Sequence, residues 1–174
     1  MLPKMRDNIY LYINLFPVCQ EAIDQCAQDS ENKEDEYCKK VLITIPDIKS
    51  TFNEKCPIAF LYLNKIEEKS YTEENIKGAA CIYMYYWIYH DLLKNNKNGI
   101  NAKILYEAFI QAYNEVDIEK YNGFKGANIT VNELNNLKYI YEMETELKNM
   151  EKDKESSSGN KCESAKKCSD LYMQ

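Results

Sequence analysis

Apolar side chains recur along much of this chain at intervals of three and four residues, the spacing of one face of an α-helix. The clearest stripe follows Asn101, a residue type that caps helices, and closes at Asn122-Gly123. Its members are Ile104, Leu105, Ala108, Phe109, Ala112, Tyr113 and Val116. No segment shows the sustained apolar and polar alternation that is typical of strands. The pattern therefore predicts an all-α fold.

Proline residues predict where several helices begin and end. Residues 7–28 should form two short helices divided at Pro17, because proline lacks the amide donor of a helix interior. A short helix should follow over residues 37–45 and end at Pro46. Pro57 suits a first helical turn, so the next helix should begin there.

Capping-box spacings, a serine or threonine followed three positions later by glutamate, predict two further helix starts. Ser70 with Glu73 predicts a helix over residues 73–94. Thr130 repeats the spacing and predicts a helix over residues 131–150.

A chain of 174 residues has the size of one domain with a substantial core, so we predict a single helical domain over residues 1–174. Residues 151–161 have neither apolar content nor periodicity, which predicts a flexible linker. A short C-terminal helix should follow over residues 162–172.

The central helix is the most apolar part of the chain. Its run from Ala79 to Tyr89 contains eleven residues, too few to span a bilayer, which needs about 20. Five of them are aromatic: Tyr83, Tyr85, Tyr86, Trp87 and Tyr89. Such residues are common at protein interfaces, but on a helix these five cannot all face one side. We therefore interpret this helix as the hub of a helical bundle, surrounded by the other helices.

Seven cysteines are far more than cytosolic chains usually carry. They are Cys19, Cys26, Cys38, Cys56, Cys81, Cys162 and Cys168. Metal sites favour close cysteine pairs or added histidines, but the tightest spacing is six residues and His90 is the single histidine. Disulfides that staple the bundle are the better explanation.

Helix geometry limits how these cysteines can pair. Two cysteines seven residues apart on one helix have α-carbons ~10.5 Å apart, beyond the roughly 7 Å that a disulfide allows. Cys19 and Cys26 should therefore each reach another element, and the same holds for Cys162 and Cys168 if their helix is intact. The candidates for disulfides are Cys19, Cys26, Cys38, Cys56, Cys162 and Cys168. Cys81, inside the most apolar helix, is the predicted free thiol, and the connectivity of the other six stays open.

Charge and motifs argue against several functions. The net charge of −6, with no basic stripe, disfavours a nucleic-acid partner. His90 beside Asp91 resembles a base of secreted phospholipases, but the accompanying cysteines and glycine-rich calcium loop do not occur. The carboxylate clusters at residues 34–36, 67–68 and 73–74 lack calcium-loop spacing, and we interpret them as solvated helix faces and N-termini.

We predict no enzyme activity, no catalytic residue, no metal and no cofactor. A small secreted phospholipase-like enzyme and a cytosolic thiol or metal protein remain the alternatives.

The sequence also resembles a known family. Residues 78–93 (GAACIYMYYWIYHDLL), followed by residues 104–106 (ILY) and 109–114 (FIQAYN), resemble the core block of the Plasmodium interspersed repeat (PIR) proteins, the variants of primate malaria parasites in particular. The element Lys55-Cys56-Pro57 and the ending CESAKKCSDLY at residues 162–172 are also similar to family features.

The resemblance implies a variant surface antigen or adhesion domain of infected red cells, with roles in host interaction and immune evasion. Its implied location is the outer face of the infected red cell or the parasite membrane, or an exported state. Its implied partners are a host cell-surface or serum protein and antibodies. The chain shows no convincing export signal and no membrane helix, so we interpret it as an excised ectodomain. The loops predicted to vary and to bind are residues 29–36, 94–99, 122–129 and 151–161.

Overall fold

The computed structural model describes residues 9–29, 36–72, 75–94, 99–114, 129–152, 166–167 and 169–170. Across these residues the chain contains helices and turns but no strand, so the all-α prediction is confirmed. The α-helices are α1 (Phe16–Asp29), α2 (Glu36–Lys40), α3 (Pro46–Lys69), α4 (Ile76–Trp87), α5 (Gly99–Asn114) and α6 (Val131–Lys152). A 3-10 helix (Ile9–Leu15) precedes α1, and a π-helical turn (Ile88–Leu92) extends α4.

The two short helices predicted near the N-terminus are present, and Pro17 is the second residue of α1. First-turn amides have no partner within a helix, so the missing donor of Pro17 leaves no hydrogen bond unmade. The buried residues of α1 recur at helical spacing: Phe16, Cys19, Ala22, Ile23 and Cys26. This face attaches α1 to the core.

Gly78 lets the 3-10 helix approach α4 closely. A Cβ atom at this position would lie 2.9 Å from Cε1 of Tyr12, nearer than carbon atoms normally approach. The glycine is therefore explained by the tyrosine ring that packs on it.

The helix α3 differs from the prediction at both of its prolines. The helix predicted over residues 37–45 is wrong beyond Lys40, and Pro46 begins α3 instead of ending a helix. Pro57 lies inside α3 and does not begin it. An interior proline costs about 3 kcal/mol, whereas full burial of one large apolar side chain contributes ~1.5–3 kcal/mol. Because α3 buries Phe52 before Pro57 and Leu63 after it, one continuous helix is favoured.

The capping box predicted at Ser70 is also wrong. Ser70 ends α3, and its hydroxyl group donates a 2.6 Å hydrogen bond to the carbonyl of Glu67. The helix α4 begins later than predicted, at Ile76, after Asn75 adopts a left-handed conformation with φ of 70°. Asparagine tolerates this conformation better than most residues.

The cap predicted at Asn101 is wrong as well. The helix α5 begins at Gly99, two positions earlier, so Asn101 is a helical residue.

The central helix forms the hub of the first of two compact units, Met1–Val131. The 3-10 helix, α1, α3 and α5 all pack against α4. Every residue from Ala79 to Tyr89 is buried, with at most 8% of its surface exposed. The expectation that the most apolar helix is surrounded by others is confirmed.

The second compact unit, Asn132–Gln174, contains nearly all of α6. The helix predicted over residues 131–150 is confirmed. Its exposed faces carry the ion pairs Lys138–Glu142 and Glu144–Lys148, whose nitrogen–oxygen distances are 3.8 and 3.6 Å. The linker predicted over residues 151–161 and the helix over 162–172 lie mostly outside the described residues, and the single domain over residues 1–174 stays a prediction.

Candidate interaction surface

One disulfide joins two helices in the described part of the chain. Cys38 on α2 and Cys56 on α3 are bonded across 18 residues, with their α-carbons 5.9 Å apart. Closing a loop of this length stabilises the fold by about 3 kcal/mol in the loop-entropy model. A helix of five residues is unstable by itself in water, so the bridge holds α2 against α3.

The other candidate cysteines occupy two kinds of position. Cys19 and Cys26 are buried on α1, which is an intact helix as the pairing argument assumed. Cys162 and Cys168 lie outside the described residues, so their disulfides stay a prediction.

Cys81 is a buried thiol on α4. Burial raises the pKa of this thiol to about 12, although the side chain of Tyr106 lowers it in part. The thiolate is the reactive form of cysteine, so the protonated thiol of Cys81 is unreactive at neutral pH. Nearby, burial and then the thiol of Cys19 raise the pKa of Tyr62 well above its usual value. These side chains belong to the core.

His90 lies on the π-helical turn at the edge of the aromatic core. Its ring centroid is 4.5 Å from that of Tyr86 and 4.8 Å from that of Tyr89. Asp91 follows it and is exposed. No group of three or more His, Cys, Asp or Glu side chains in the described ranges could hold a metal ion. His90 is therefore a side chain packed against tyrosine rings in tilted and edge-on contacts at the end of the hub.

Glu67 is not the solvated carboxylate that we predicted. Its two oxygens lie 2.9 and 2.8 Å from Nζ of Lys77, and its side chain is only 12% exposed. The pair joins α3 to α4. Glu67 is therefore a structural residue of the bundle.

A concave surface lies beside the disulfide. A groove of about 430 Å³ is lined by Cys38 and Lys39 at the end of α2, by residues 41–43, and by Lys49, Asn53 and Pro57. The last three are spaced four residues apart, so they share one face of α3. This volume falls in the range of small ligand sites.

The rim of this groove is both apolar and cationic. The side chain of Leu42 is 86% exposed, which is unusual for leucine, and Ile43 is half-buried beside it. Lys39 and Lys49 are exposed on either side. A singly exposed apolar side chain is ordinary, but here it lies on the rim of a concave surface, where a partner can enclose it.

The sequence-based interpretation missed this groove because it assigned residues 37–45 to a helix. A signal was available in the run Val41-Leu-Ile-Thr-Ile45, which is rich in β-branched residues and precedes a proline. Both features favour extended backbone.

The loops predicted to bind lie mostly outside the described residues. Among the described helices, none is both long and apolar enough to cross a membrane. No family model, curated protein or solved structure matches this chain.

Proposed function

We propose that this chain is an adhesion or interaction domain of a variant surface antigen, acting in host–parasite contact and immune evasion on the outer face of an infected red cell or parasite membrane. The resemblance of residues 78–93 to PIR proteins supports the family. The observation that carries an interaction role is the open groove beside the Cys38–Cys56 disulfide, where Leu42 is 86% exposed.

The disulfide supports a location outside the cytosol, because thiols are kept reduced in the cytosol. The aromatic residues of the hub do not provide a binding face, since Tyr83, Tyr85 and Trp87 are all buried. Any partner must therefore bind side chains at the periphery of the bundle.

A binding screen tests this proposal directly. The oxidised domain, labelled and assembled into tetramers, would be applied to red cells, leukocytes and an array of host cell-surface and serum proteins. We expect saturable binding to at least one host protein. A tetramer of the disulfide variant Cys38→Ser/Cys56→Ser is the matched control, and it should bind less. Absence of binding by the native domain to every cell and protein tested would contradict the proposal.

The competing enzyme hypothesis has its own assay. The purified domain would be incubated with phospholipid vesicles and calcium, in parallel with a His90→Ala variant. We expect no hydrolysis by either protein. If the native domain hydrolysed phospholipid in the presence of calcium and the His90→Ala variant did not, the phospholipase-like hypothesis would be supported and the interaction role contradicted.

A further inference from the structure

We infer that the groove beside Cys38–Cys56 binds an extended, acidic and apolar segment of a partner protein, which pairs as a β-strand with residues 42–44. This inference deepens the interaction role proposed above and rests on it. The partner segment is specified by its extended backbone and by its negative charge.

The backbone of residues 42–44 is available for pairing. In the described part of the chain, neither the amide nor the carbonyl groups of Leu42, Ile43 and Thr44 make a hydrogen bond. The next carbonyl, that of Ile45, is already used, because it accepts from the amides of Ile48 and Lys49 at 3.1 and 3.0 Å. The donors and acceptors of these residues are therefore unpaired, and in an extended segment alternate residues direct theirs to one edge, as in an edge strand.

The side chains of this segment alternate as they do in a strand. Leu42 and Thr44 are exposed, whereas Ile43 and Ile45 are half-buried. Ile45 has φ of −94° and ψ of 111°, which is extended backbone. One face of the segment thus lies on the protein while its edge remains accessible. Addition of a strand to such an edge is a common mode of peptide binding.

Both ends of the segment are held. Its N-terminal side follows Cys38, which is bonded to α3, and Pro46 begins α3 directly after Ile45. A segment fixed in its bound form loses little conformational entropy on binding. The disulfide therefore prepares the binding edge as well as stabilising the fold.

The charges around the groove select the partner. Lys39 and Lys49 line the groove and are exposed, whereas the exposed carboxylates of Asp47 and Glu54, described nearby on α3, do not line it. A partner segment could place an apolar side chain in the 430 Å³ groove and carboxylates on both sides of it, where they would pair with the lysines of the rim. A second copy of the chain fits less well, because pairing two such edges would bring two lysine-bearing rims together.

The experiment uses an acetylated and amidated octapeptide of alternating glutamate and valine, titrated into the oxidised, isotope-labelled domain. We expect saturable binding that weakens with added salt, with amide shifts concentrated at Leu42, Ile43 and Thr44. The same peptide N-methylated at alternate residues should not bind, since methylation removes the ladder donors.

Two groove variants and one matched control separate the effect of charge from that of the backbone. Lys39→Glu/Lys49→Glu should weaken peptide binding roughly tenfold or more. Lys103→Glu/Lys148→Glu makes the same change in net charge at exposed lysines that do not line the groove, and it should bind as the native domain does. Thr44→Pro removes one amide donor without changing the charge and should also abolish binding. Circular dichroism checks that each variant remains folded.

Equal binding of the methylated peptide, equal binding by the groove variants, or dimerisation of the domain through this edge would overturn the inference. The host-binding screen distinguishes this failure from that of the proposed function. If Lys39→Glu/Lys49→Glu bound host proteins as the native domain does, the groove would not be the binding site, but the proposed adhesion role would stand. If the domain bound the peptide but no host protein, the adhesion role would be contradicted, while the groove would still be shown to bind an extended acidic segment.

Discussion

The hydroxyl group of Tyr62 on α3 donates a hydrogen bond of 3.0 Å to the backbone carbonyl of Ala80 on the hub helix α4. Both residues are fully buried. The bond therefore satisfies a phenol that could not reach water, and it fixes the register of α3 against α4.

Replacing Tyr62 by phenylalanine should lower the free energy of unfolding by about 1–1.5 kcal/mol, since the net contribution of such a bond is of this size. Urea denaturation followed by circular dichroism measures the change. The control is Tyr71→Phe, because Tyr71 is 81% exposed and should tolerate the loss of its hydroxyl. Equal stability of the Tyr62 variant and the native chain would show that the bond contributes nothing.

Removing the disulfide by Cys38→Ser/Cys56→Ser should destabilise the domain by about 3 kcal/mol. The reason is that the unfolded chain regains the freedom of an 18-residue loop. Denaturation of the native domain with and without a reductant gives a second comparison, and the reductant should lower the stability of the native domain more than that of the double-serine variant. A midpoint that reductant leaves unchanged in the native domain would be inconsistent with a stabilising bridge.

Gly78→Ala should reveal the contact with Tyr12. Alanine is favoured over glycine in a helix by about 1 kcal/mol, but its Cβ would approach Cε1 of Tyr12 to 2.9 Å. We expect the substitution to bring no gain in the native background and to stabilise the chain by about 1 kcal/mol in a Tyr12→Ala background. A double-mutant cycle measures this coupling. Equal effects in both backgrounds would mean that the ring does not restrict this position.

Stability at alkaline pH should depend on Cys81. Burial raises the pKa of this thiol from its ordinary 9.0 to about 12 in the folded chain. The unfolded chain therefore releases the proton near pH 9 while the folded chain keeps it. Its contribution to stability is intact below pH 9 and is lost as the pH rises toward 12, by up to about 1.4 kcal/mol per pH unit.

Denaturation of the native chain and of Cys81→Ala at a series of pH values tests this dependence. Between pH 9 and 11 the native chain should lose stability more steeply than the variant, while other buried groups titrate alike in both. Parallel curves would show that Cys81 is not desolvated.

The sequence by itself determined the fold class and the buried hub. The stripe from Ile104 to Tyr113 recurs at helical spacing, and these residues lie in the helix α5. The run from Ala79 to Tyr89 has no polar face, so it had to be enclosed, and it is. Both features depend on the periodicity of many residues, which neighbouring parts of the chain cannot reverse.

Only the tertiary structure decided the features that depend on one or two residues. Local signals at Pro57 and Ser70 are worth about 1–3 kcal/mol, and burial along α3 outweighed the first of them. Spacing alone could not show that Cys38 meets Cys56, because pairing depends on which helices become neighbours. The groove beside that bridge is likewise formed by α2, α3 and the segment between them, which the disulfide holds together. Helix periodicity follows from the local chain, but a binding edge requires distant segments to come together.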